Sequence, residues 1–389
     1  MQKKKLAIFI NTLKRAGAEK IVAFLLNQLH SEFELHLLMF NTTEIEFSIP
    51  SSIIIRQIGK PKIADPRPID ILKMPFQAAI VKKYLRDNNI PVLLSFLNRP
   101  NFISGIVKML GWKGKSIISE RTMTSTYYTN KTWGGKVGRL LVNRLYKKAD
   151  LIITNSRLCE EDLKETFQLK NDIITIYNPV NLKEAARENA PVTEEMGRRN
   201  GEFVFCSIGR YSYHKNQELL LQAFSKLANA HCRLVFIGKE IPVRLSPQLT
   251  QLNLQEQVTL IGLQHNIFPY LHAADAFILS SRLEGFPNVI IEALACSLPV
   301  IATDCKSGPR EILAPGTSYP GHMAQMETGE YGILVENENV AMLAAAMKRI
   351  IDDKELYQIY KNKAFNRVKE YDMNVIIKSF ETTIGGFYW

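Results

Sequence analysis

Residues 276–295 read AFILSSRLEGFPNVIIEALA, and this stretch decides the fold. It begins with four apolar residues, passes through a polar loop containing Glu284 and Gly285, and becomes apolar again after Asn288. Pro287 stands where a proline is pre-organised for the first turn of a helix. The stretch therefore predicts a strand, a loop and a helix. A continuous apolar strand of this length is typical of a parallel sheet that is covered on both faces.

The same alternation of short apolar runs and amphipathic segments extends in both directions, which is typical of parallel α/β domains. Two series of strands are predicted. The first series is Leu6–Ile10, Glu34–Met39, Val92–Phe96, Ser116–Ser119 and Leu151–Thr154, and the second is Phe203–Ile208, Arg233–Ile237, Val258–Ile261, Ala276–Leu279 and Val300–Ala302. Helices are predicted between them, among others at Ala18–Leu29, Gln77–Asp87, Gln217–Ala228 and Asn288–Cys296.

A polar segment separates the two series. Residues 177–181 (YNPVN) predict a turn, and residues 183–202 are polar and contain Pro191, Gly197 and Gly201. We therefore predict two doubly wound α/β domains, residues 1–180 and 200–374, that face each other across a cleft. Ligands of such sheets bind at the carboxyl ends of the strands and in the crevice between domains.

The composition is that of a globular protein. Of 389 residues, 46% are hydrophobic and 22% are charged, which excludes a disordered chain, a collagen and a disulfide scaffold. No apolar run approaches the roughly 20 residues that span a bilayer, and the short run Leu6–Ile10 is interpreted as a strand rather than a signal peptide. The five cysteines form no C-x-x-C pair, so we expect reduced thiols in a cytoplasmic protein.

The net charge of +11 is concentrated in the first half. Residues 1–190 contain 30 Lys and Arg against 17 Asp and Glu, whereas the remainder contains 19 against 21. This imbalance indicates that the first half meets an anionic partner. Nucleic acid, a membrane surface and a phosphorylated substrate all fit.

Four segments combine a strand end with residues suited to phosphate or sugar. Gly209 and Arg210 end a strand, and Lys215 precedes a helix; the two cations suit a diphosphate, and solvated loop charges are the alternative. In the second segment, Glu284 precedes a helix that contains Glu292, a carboxylate in an apolar context that needs a partner or a ligand hydroxyl. The remaining segments are Ser307–Leu313 and the loop that ends at Gly17, each before a predicted helix.

In this order, the segments resemble the family 4 retaining glycosyltransferases with the GT-B fold, over most of the chain. The sequence Ser307-Gly308-Pro309-Arg310-Glu311 is similar to loops of bacterial enzymes that build O-antigen, capsule or other lipid-linked oligosaccharides. The resemblance implies two Rossmann-like domains, with the acceptor on the first and the nucleotide sugar on the second. It also implies that residues 375–389 pack back onto the first domain.

The resemblance further implies a role for each candidate residue. Arg210 and Lys215 would bind the donor diphosphate and stabilise the departing nucleotide, while Glu284 would contact the donor sugar. Glu292 would accept hydrogen bonds from the ribose. The other donor-binding positions are Gly17, Gly209, Phe286, Pro287, Asn288 and Val289.

The chain departs from the family's pattern at two places. Its first loop has Ala16-Gly17 where many relatives have two glycines. It also has Ser119-Glu120-Arg121 where several relatives have Ser-Glu-His. Two interpretations of Glu120 and Arg121 stay open: a contact to the acceptor or to a phosphate, and a structural ion pair between the two side chains.

The resemblance implies a metal-independent, retaining transferase. No D-x-D motif and no His or Cys cluster suggests a metal site, and no cofactor beyond the nucleotide sugar is expected. UDP is the expected nucleotide, with GalNAc, GlcNAc, Gal and Glc all open as the sugar. Residues 131–148 predict a basic amphipathic helix that can lie on an anionic membrane, and a solvated helix face over the core is the alternative.

We therefore expect transfer to a glycan on a polyprenyl diphosphate, at the inner face of the cytoplasmic membrane. Two other functional classes remain: a nucleotide-sugar 2-epimerase of GT-B shape and a non-catalytic binder of an anionic surface or nucleic acid. The two glutamates and the Ser307 loop speak against the epimerase. The near-neutral second half and the lack of a compact basic-aromatic motif speak against nucleic acid.

Overall fold

The computed structural model describes residues 3–14, 17–59, 68–187, 192, 194–227 and 231–388. The chain divides into two compact units, one formed by Met1–Pro179 with Asn374–Trp389 and the other by Val180–Met373. The polar segment after residue 180 therefore belongs to the second unit, while the C-terminal segment belongs to the first.

The first unit is built on a seven-stranded sheet with the strand order β3-β2-β1-β4-β5-β6-β7. Every neighbouring pair of strands is parallel. Its elements are β1 (Lys4–Ile10), α1 (Gly17–Leu29), β2 (Phe33–Met39), β3 (Ile54–Gln57), α2 (Pro68–Asp87), β4 (Val92–Phe96), α3 (Asn98–Met109), β5 (Lys115–Glu120), α4 (Thr124–Tyr127), α5 (Trp133–Leu145), a 3₁₀ turn (Tyr146–Lys148), β6 (Leu151–Thr154), α6 (Arg157–Glu165) and β7 (Ile173–Thr175).

The second unit is built on another seven-stranded sheet, with the order β10-β9-β8-β11-β12-β14-β13. Only the β13–β14 pair is antiparallel among these described strands. Its elements are α7 (Leu182–Ala185), β8 (Phe203–Ile208), α8 (Gln217–Ser225), β9 (Cys232–Ile237), α9 (Ile241–Leu252), β10 (Val258–Ile261), α10 (Phe268–Ala273), β11 (Ala276–Leu279), α11 (Asn288–Ala295), β12 (Val300–Thr303), α12 (Pro309–Leu313), β13 (Glu327–Thr328), β14 (Ile333–Val335), α13 (Val340–Asp352), α14 (Lys354–Val368) and a 3₁₀ turn (Lys369–Tyr371).

Among the parallel strands, the strand order reverses once in each sheet. In the first unit β1 lies between β2 and β4, and in the second unit β8 lies between β9 and β11. At such a switch point the two loops at the carboxyl ends diverge, and the crevice between them is where ligands of doubly wound sheets bind. The loops after β8 and β11 therefore border the expected ligand site of the second unit.

The C-terminal segment completes the first unit. It forms α15 (Met373–Gly385) and a 3₁₀ turn (Gly386–Tyr388). The Tyr388 hydroxyl donates to the backbone oxygen of Lys5 in β1 at 2.7 Å, and its ring lies 5.7 Å from that of Phe33.

All ten predicted strands are present, with ends that differ by at most two residues. The sequence missed four short strands: β3, β7, β13 and β14. The helix predicted from Gln77 begins nine residues earlier, at Pro68, and contains Pro75. The helix predicted to end at Ala228 ends at Ser225, and residue 228 lies outside the described residues.

The basic amphipathic helix predicted at residues 131–148 is shorter than expected. Helix α5 covers Trp133–Leu145 and is followed by the 3₁₀ turn. Val142 and Leu145 on its apolar face are buried in the core of the first unit, where α5 packs against α3, so packing in this core accounts for the apolar face of the helix. Within the described residues, no helix combines the length and the apolar character of a bilayer-spanning segment.

Asp150, just before β6, ties three elements together. Its carboxylate accepts a hydrogen bond from the backbone N–H of Ser116 at 2.8 Å and pairs with Lys108 at 2.9 Å and Lys115 at 3.6 Å. Burial alone would raise the pKa of Asp150, but the hydrogen bonds and the two ammonium charges outweigh it and hold the pKa below its ordinary value.

We expect Asp150→Asn to destabilise the protein by about 1–3 kcal/mol at pH 7, because a charge-assisted hydrogen-bond network loses its acceptor charge. The contribution is present above the unfolded-state pKa of about 4 and is lost as the pH falls through the lower folded-state pKa. Thermal unfolding of both proteins across this pH range checks the prediction. The exposed Asp352→Asn is the control, and an equal midpoint for wild type and Asp150→Asn at pH 7 would contradict it.

Candidate active site

The Lys215 loop (residues 209–216) joins β8 to α8. At its start, the Gly209 N–H donates to the Ile237 oxygen of β9 at 2.9 Å. A Cβ atom on Gly238 would lie 2.1 Å from the Gly209 oxygen, so this close approach of two backbones requires glycine at position 238. At its end, Asn216 is buried with a φ of 50° and leads directly into α8. The loop is therefore anchored at both ends.

The Glu284 loop (residues 280–287) joins β11 to α11, and β11 pairs directly with β8. Lys215 Nζ donates to Glu284 Oε1 at 2.6 Å. Ser281 Oγ donates to the same oxygen, also at 2.6 Å. The side chains of Lys215 and Glu284 are only 24% and 12% exposed, so their ion pair is partly shielded from water. The switch point thus brings together two residues that the sequence had selected separately.

The ion pair leaves hydrogen-bonding capacity for a ligand. Among the described residues, Glu284 Oε2 has no partner, while the Lys215 ammonium has three N–H groups and uses one on Glu284. Arg210, at the start of the same loop, is exposed, and its guanidinium makes no hydrogen bond or ion pair with any residue that the structure describes. The site therefore presents two cations and one open carboxylate oxygen.

The loop after β12 holds the Glu284 loop in place. Thr303 Oγ1 donates to the Ser281 oxygen at 2.6 Å, and Ser307 Oγ donates to the Gly285 oxygen at 2.7 Å. Gly308 has a φ of +91°, and a Cβ atom there would lie 2.4 Å from Pro287 Cδ. The predicted phosphate or sugar loop at Ser307–Leu313 thus packs directly against the Glu284 loop.

The positive charge of Arg310, in this segment, is paired with two carboxylates of the protein. Its Nη2 pairs with Asp304 at 2.7 Å and its Nη1 with Glu327 at 2.8 Å, and the Arg310 and Asp304 side chains are almost fully buried. Burial alone would lower the pKa of Arg310, but the two carboxylates raise it above its ordinary value. This cation therefore fixes the backbone of the segment.

Glu292 lies on α11, one turn beyond the start of the helix, and is 5% exposed. Burial raises the pKa of the neighbouring Cys296 thiol to about 12, and the Glu292 carboxylate adds to that rise. Helix α11 begins at Asn288 as predicted, with Pro287 as its N-cap residue. Phe286 and Pro287 are buried, whereas Asn288 and Val289 are partly exposed.

Glu120 and Arg121 follow one another at the end of β5, in the first unit. Glu120 is buried and accepts hydrogen bonds from the Tyr146 hydroxyl at 2.6 Å, from the Arg121 N–H at 3.0 Å and from Thr122. Burial raises the pKa of Glu120, although these hydrogen bonds oppose the rise. The described residues include no ion pair between the Glu120 carboxylate and the Arg121 guanidinium, so that interpretation of the pair was wrong.

Gly17 is the first residue of α1, in the first unit, and is exposed. The rest of the predicted Ala16-Gly17 loop, residues 15 and 16, lies outside the described residues. The role of Gly17 in donor binding stays a prediction.

Sequence reasoning missed Arg282, which positions the Lys215 loop. Its backbone N–H donates to the His214 oxygen at 2.7 Å, and its Nη1 donates to the Tyr213 oxygen at 2.7 Å. The guanidinium also stacks on the Tyr213 ring at 4.3 Å and pairs with Glu338. Because its main acceptors are backbone carbonyls, which every residue has, no sequence signal pointed to it.

Within the part of the chain that the structure describes, no group of three His, Cys, Asp or Glu side chains is placed to hold a metal ion. Two cations beside a carboxylate at the carboxyl ends of parallel strands suit a ligand that carries both phosphate and hydroxyl groups.

Comparison with known proteins agrees with this chemistry. Residues 15–184 match the family described as Glycosyltransferase Family 4, and residues 192–367 match Glycosyl transferases group 1. A relative from Campylobacter jejuni is 35% identical over 371 residues, which cover 95% of this chain and 96% of the relative. That relative is the N-acetylgalactosamine-N,N'-diacetylbacillosaminyl-diphospho-undecaprenol 4-alpha-N-acetylgalactosaminyltransferase.

Solved structures give the same fold. Sucrose-phosphate synthase from Thermosynechococcus elongatus has a TM-score of 0.82 at 18% identity, with 99% of both chains covered. HepE from Anabaena in complex with UDP has a TM-score of 0.77 at 19% identity, with 98% of this chain and 100% of that one covered.

The two largely parallel sheets and the structural neighbours show the GT-B fold. The chain belongs to the family 4 glycosyltransferases, whose second domain is the group 1 domain. The family resemblance and the fold class predicted from the sequence are thus confirmed.

We expect Gly308→Ala to weaken donor binding, because its Cβ atom displaces Pro287 and with it the Glu284 loop. A residue other than glycine at this φ, together with the clash, destabilises the protein by about 1–3 kcal/mol. Thermal unfolding and calorimetric titration with UDP measure the two effects. The control is Gly316→Ala, where a Cβ atom meets nothing within 4 Å. Equal UDP affinities in Gly308→Ala and in the control would show that the packing of the two loops is not needed for binding.

Proposed function

We propose that the protein transfers an N-acetylhexosamine or a hexose from a UDP-sugar to a glycan on a polyprenyl diphosphate, with retention of configuration and without a metal. The observation that carries the proposal is the Lys215–Glu284 pair at the switch point of the second sheet, beside the exposed Arg210. The name of the Campylobacter relative supports N-acetylgalactosamine as the sugar and a diphospho-undecaprenol-linked acceptor. The UDP complex of HepE makes UDP the first nucleotide to test.

The chemistry follows from where charge develops. When the bond between the anomeric carbon and the phosphate breaks, negative charge grows on the leaving diphosphate. Arg210 and the two remaining N–H groups of Lys215 can bind that charge, which a divalent metal would otherwise neutralise. Glu284 holds Lys215 in place through Oε1, and its Oε2 can accept a hydrogen bond from a hydroxyl group of the sugar in the UDP-sugar.

The other predicted donor contacts complete the proposed site. Glu292 accepts hydrogen bonds from the ribose hydroxyls, and Gly209 with the backbone from Phe286 to Val289 lies against sugar and phosphate oxygens. Gly17, in the first domain, stays a predicted donor contact.

The Lys215–Glu284 pair also argues against a hydrolase. Most glycosidases place two carboxylates on either side of the bond that breaks, one of them as a general acid. Glu284 is instead bound to the Lys215 ammonium group and to the Ser281 hydroxyl, which suits a positioning role.

The direct test is a transfer assay with purified protein, UDP-N-acetylgalactosamine, EDTA and a polyprenyl-diphosphate-linked glycan. We expect product in EDTA, and the proton spectrum of the product should show an α-linked new sugar. Since a donor with an α bond to its diphosphate gives an α product only with retention, a β product would refute retention. Activity that requires an added metal would refute metal independence, and conversion of the UDP-sugar without acceptor would favour the epimerase.

We expect Arg210→Ala and Lys215→Ala to lower kcat/KM and UDP affinity, by about 2–4 kcal/mol in transition-state stabilisation. Lys226→Ala, at the far end of α8, removes an exposed lysine and should change neither. Steady-state kinetics and calorimetric titration with UDP check both results. Kinetics that match wild type in both site variants would refute the assignment of the leaving-group cations.

The proposal places the enzyme at the inner face of the cytoplasmic membrane, where such an acceptor lies. Between residues 88 and 149 the sequence has eleven Lys and Arg but only one acidic residue, Glu120, which is buried. On α5, Trp133 and Leu140 are 69% and 63% exposed. They alternate with basic side chains along one exposed stripe, which suits an anionic bilayer; the exposed basic residues are Lys136, Arg144, Lys147 and Lys148.

We expect replacement of these four basic residues by Gln to weaken binding to vesicles that contain phosphatidylglycerol by at least about tenfold, since each cation near an anionic surface contributes about 1 kcal/mol. UDP affinity should stay unchanged. Vesicle sedimentation at low salt measures the binding. The control replaces four exposed lysines of the second unit: Lys226, Lys354, Lys361 and Lys363. Equal binding by both quadruple variants would remove the membrane from the proposal.

A further inference from the structure

Arg121 differs from every other buried arginine of the described residues. Four arginines are more than nine-tenths buried, and three of them have a carboxylate partner within 2.8 Å. The three pairs are Arg233 with Glu202, Arg310 with Asp304 and Arg367 with Glu370. Arg121, which is 7% exposed, has no such partner.

The contacts of Arg121 do not satisfy its guanidinium. Nη1 makes one long hydrogen bond, to the Ile176 oxygen at 3.4 Å, while Nε and Nη2 are buried without a partner. The guanidinium lies between two rings, 5.3 Å from that of Phe96 and 5.7 Å from that of Phe380. The adjacent Glu120 already accepts hydrogen bonds on both carboxylate oxygens.

This arrangement is unfavourable as it stands. A buried charge without an opposite charge or a full set of hydrogen bonds destabilises a protein by several kcal/mol. Contacts with the two rings offset part of this cost, but they satisfy none of the N–H groups of the guanidinium. Burial lowers the pKa of Arg121 to about 9, so the side chain is still a cation at neutral pH. An arginine kept there in the cationic form is suited to meet an anion.

The position of Arg121 in the sheet indicates which anion. It follows β5 directly, and β5 pairs with β4, the strand at the switch point of the first sheet. Asn155, which follows β6, donates from its side chain to the Arg121 oxygen at 3.1 Å and fixes the backbone there. The carboxyl ends of these strands are where a doubly wound domain binds its ligand.

We infer that Arg121 binds a phosphate oxygen of a substrate. The inference rests on the proposed function, in which both substrates carry a diphosphate: the polyprenyl-linked acceptor and the UDP-sugar. A guanidinium with two unused N–H groups on one edge fits phosphate in the bidentate manner. Because Arg121 lies in the domain assigned to the acceptor, the acceptor diphosphate is the first source to test.

The experiment follows the logic of a double-mutant cycle: one change removes the Arg121 guanidinium, and the other removes the diphosphate from the acceptor. Wild type and Arg121→Gln are compared on two acceptors that carry the same glycan, one on a polyprenyl diphosphate and one on a neutral alkyl chain. We expect Arg121→Gln to lose about ten- to a hundredfold in kcat/KM on the first acceptor and little on the second, as for one charge-assisted hydrogen-bonding pair. Arg121→Lys, which keeps the charge, should retain more activity than Arg121→Gln.

The matched control is Arg139→Gln. Arg139 also stacks on a ring, that of Phe167 at 4.7 Å, and also donates to a backbone oxygen, that of Tyr128 at 3.4 Å. It lies on α5 rather than at the end of a strand, so its replacement should not distinguish the two acceptors. Thermal unfolding shows whether each variant folds, and Arg121→Met, which also removes the charge, replaces Arg121→Gln if the latter does not fold.

Inhibition by UDP and by uridine tests whether Arg121 instead binds the diphosphate of the donor, because only UDP carries a diphosphate. A loss on both acceptors, with UDP inhibition weakened but uridine inhibition unchanged, assigns Arg121 to the donor diphosphate. Equal losses on both acceptors with unchanged UDP inhibition, or no loss at all, would overturn the inference and leave Arg121 a structural residue.

Failure of the proposed function is recognised separately. If wild type transfers sugar to neither acceptor, the proposed function has failed. The inference on Arg121 is then decided by thermal shifts with inorganic diphosphate in the Arg210→Ala/Lys215→Ala background. A shift that Arg121→Gln abolishes supports phosphate binding, and a shift that is absent or unchanged by Arg121→Gln overturns it.

Discussion

The ion pair between Lys215 and Glu284 joins two loops that are far apart in the sequence and adjacent in the sheet. Its geometry depends on the strand order, because only the reversal beside β8 places the ends of β8 and β11 next to each other with diverging connections. The pair is partly buried, so its attraction is stronger than that of an ion pair in open water. Loss of either partner would leave a shielded charge beside the proposed diphosphate site.

The loops around this pair support one another through backbone atoms. Arg282 binds the carbonyls of the Lys215 loop, while Ser307 and Thr303 bind the carbonyls of the Glu284 loop. The same device holds the third loop, where the buried Arg310–Asp304 pair fixes the segment that contains Gly308. Lys215 and Glu284 can therefore stay accessible, because the side chains of other residues hold the backbone of the loops in place.

The sequence predicted those features that depend on residue type in a fixed order. The strand–loop–helix pattern around Glu284, with its glycine and proline, was enough to locate α11, and every strand of the two predicted series is present in the structure. The edge strand β3 was missed because its residues Ile54–Gln57 are largely exposed and give no buried apolar run. The role of Arg282 could not be predicted, because its guanidinium donates to a backbone carbonyl, and every residue has one.

The sequence left alternatives open where one pattern has two physical causes. The amphipathic character of residues 131–148 comes from packing of Val142 and Leu145, and the exposed stripe with Trp133 and Leu140 is seen only in the structure. The adjacent Glu120 and Arg121 suggested an ion pair, but the Glu120 carboxylate accepts hydrogen bonds from the Tyr146 and Thr122 hydroxyls instead. Tyr146 lies 26 residues away in the sequence, so no local pattern could predict this contact.

The return of α15 to the first unit has a consequence for the order of folding. Tyr388 closes against Lys5, 383 positions earlier, so the first domain to leave the ribosome is the last to be completed. Residues 180–373 can form a compact unit while the surface that α15 and the following 3₁₀ turn cover, including Phe33 of β2, is still open to solvent. Nascent chains of this protein therefore expose this apolar surface throughout the synthesis of the second domain, at a stage when exposed apolar surface promotes aggregation.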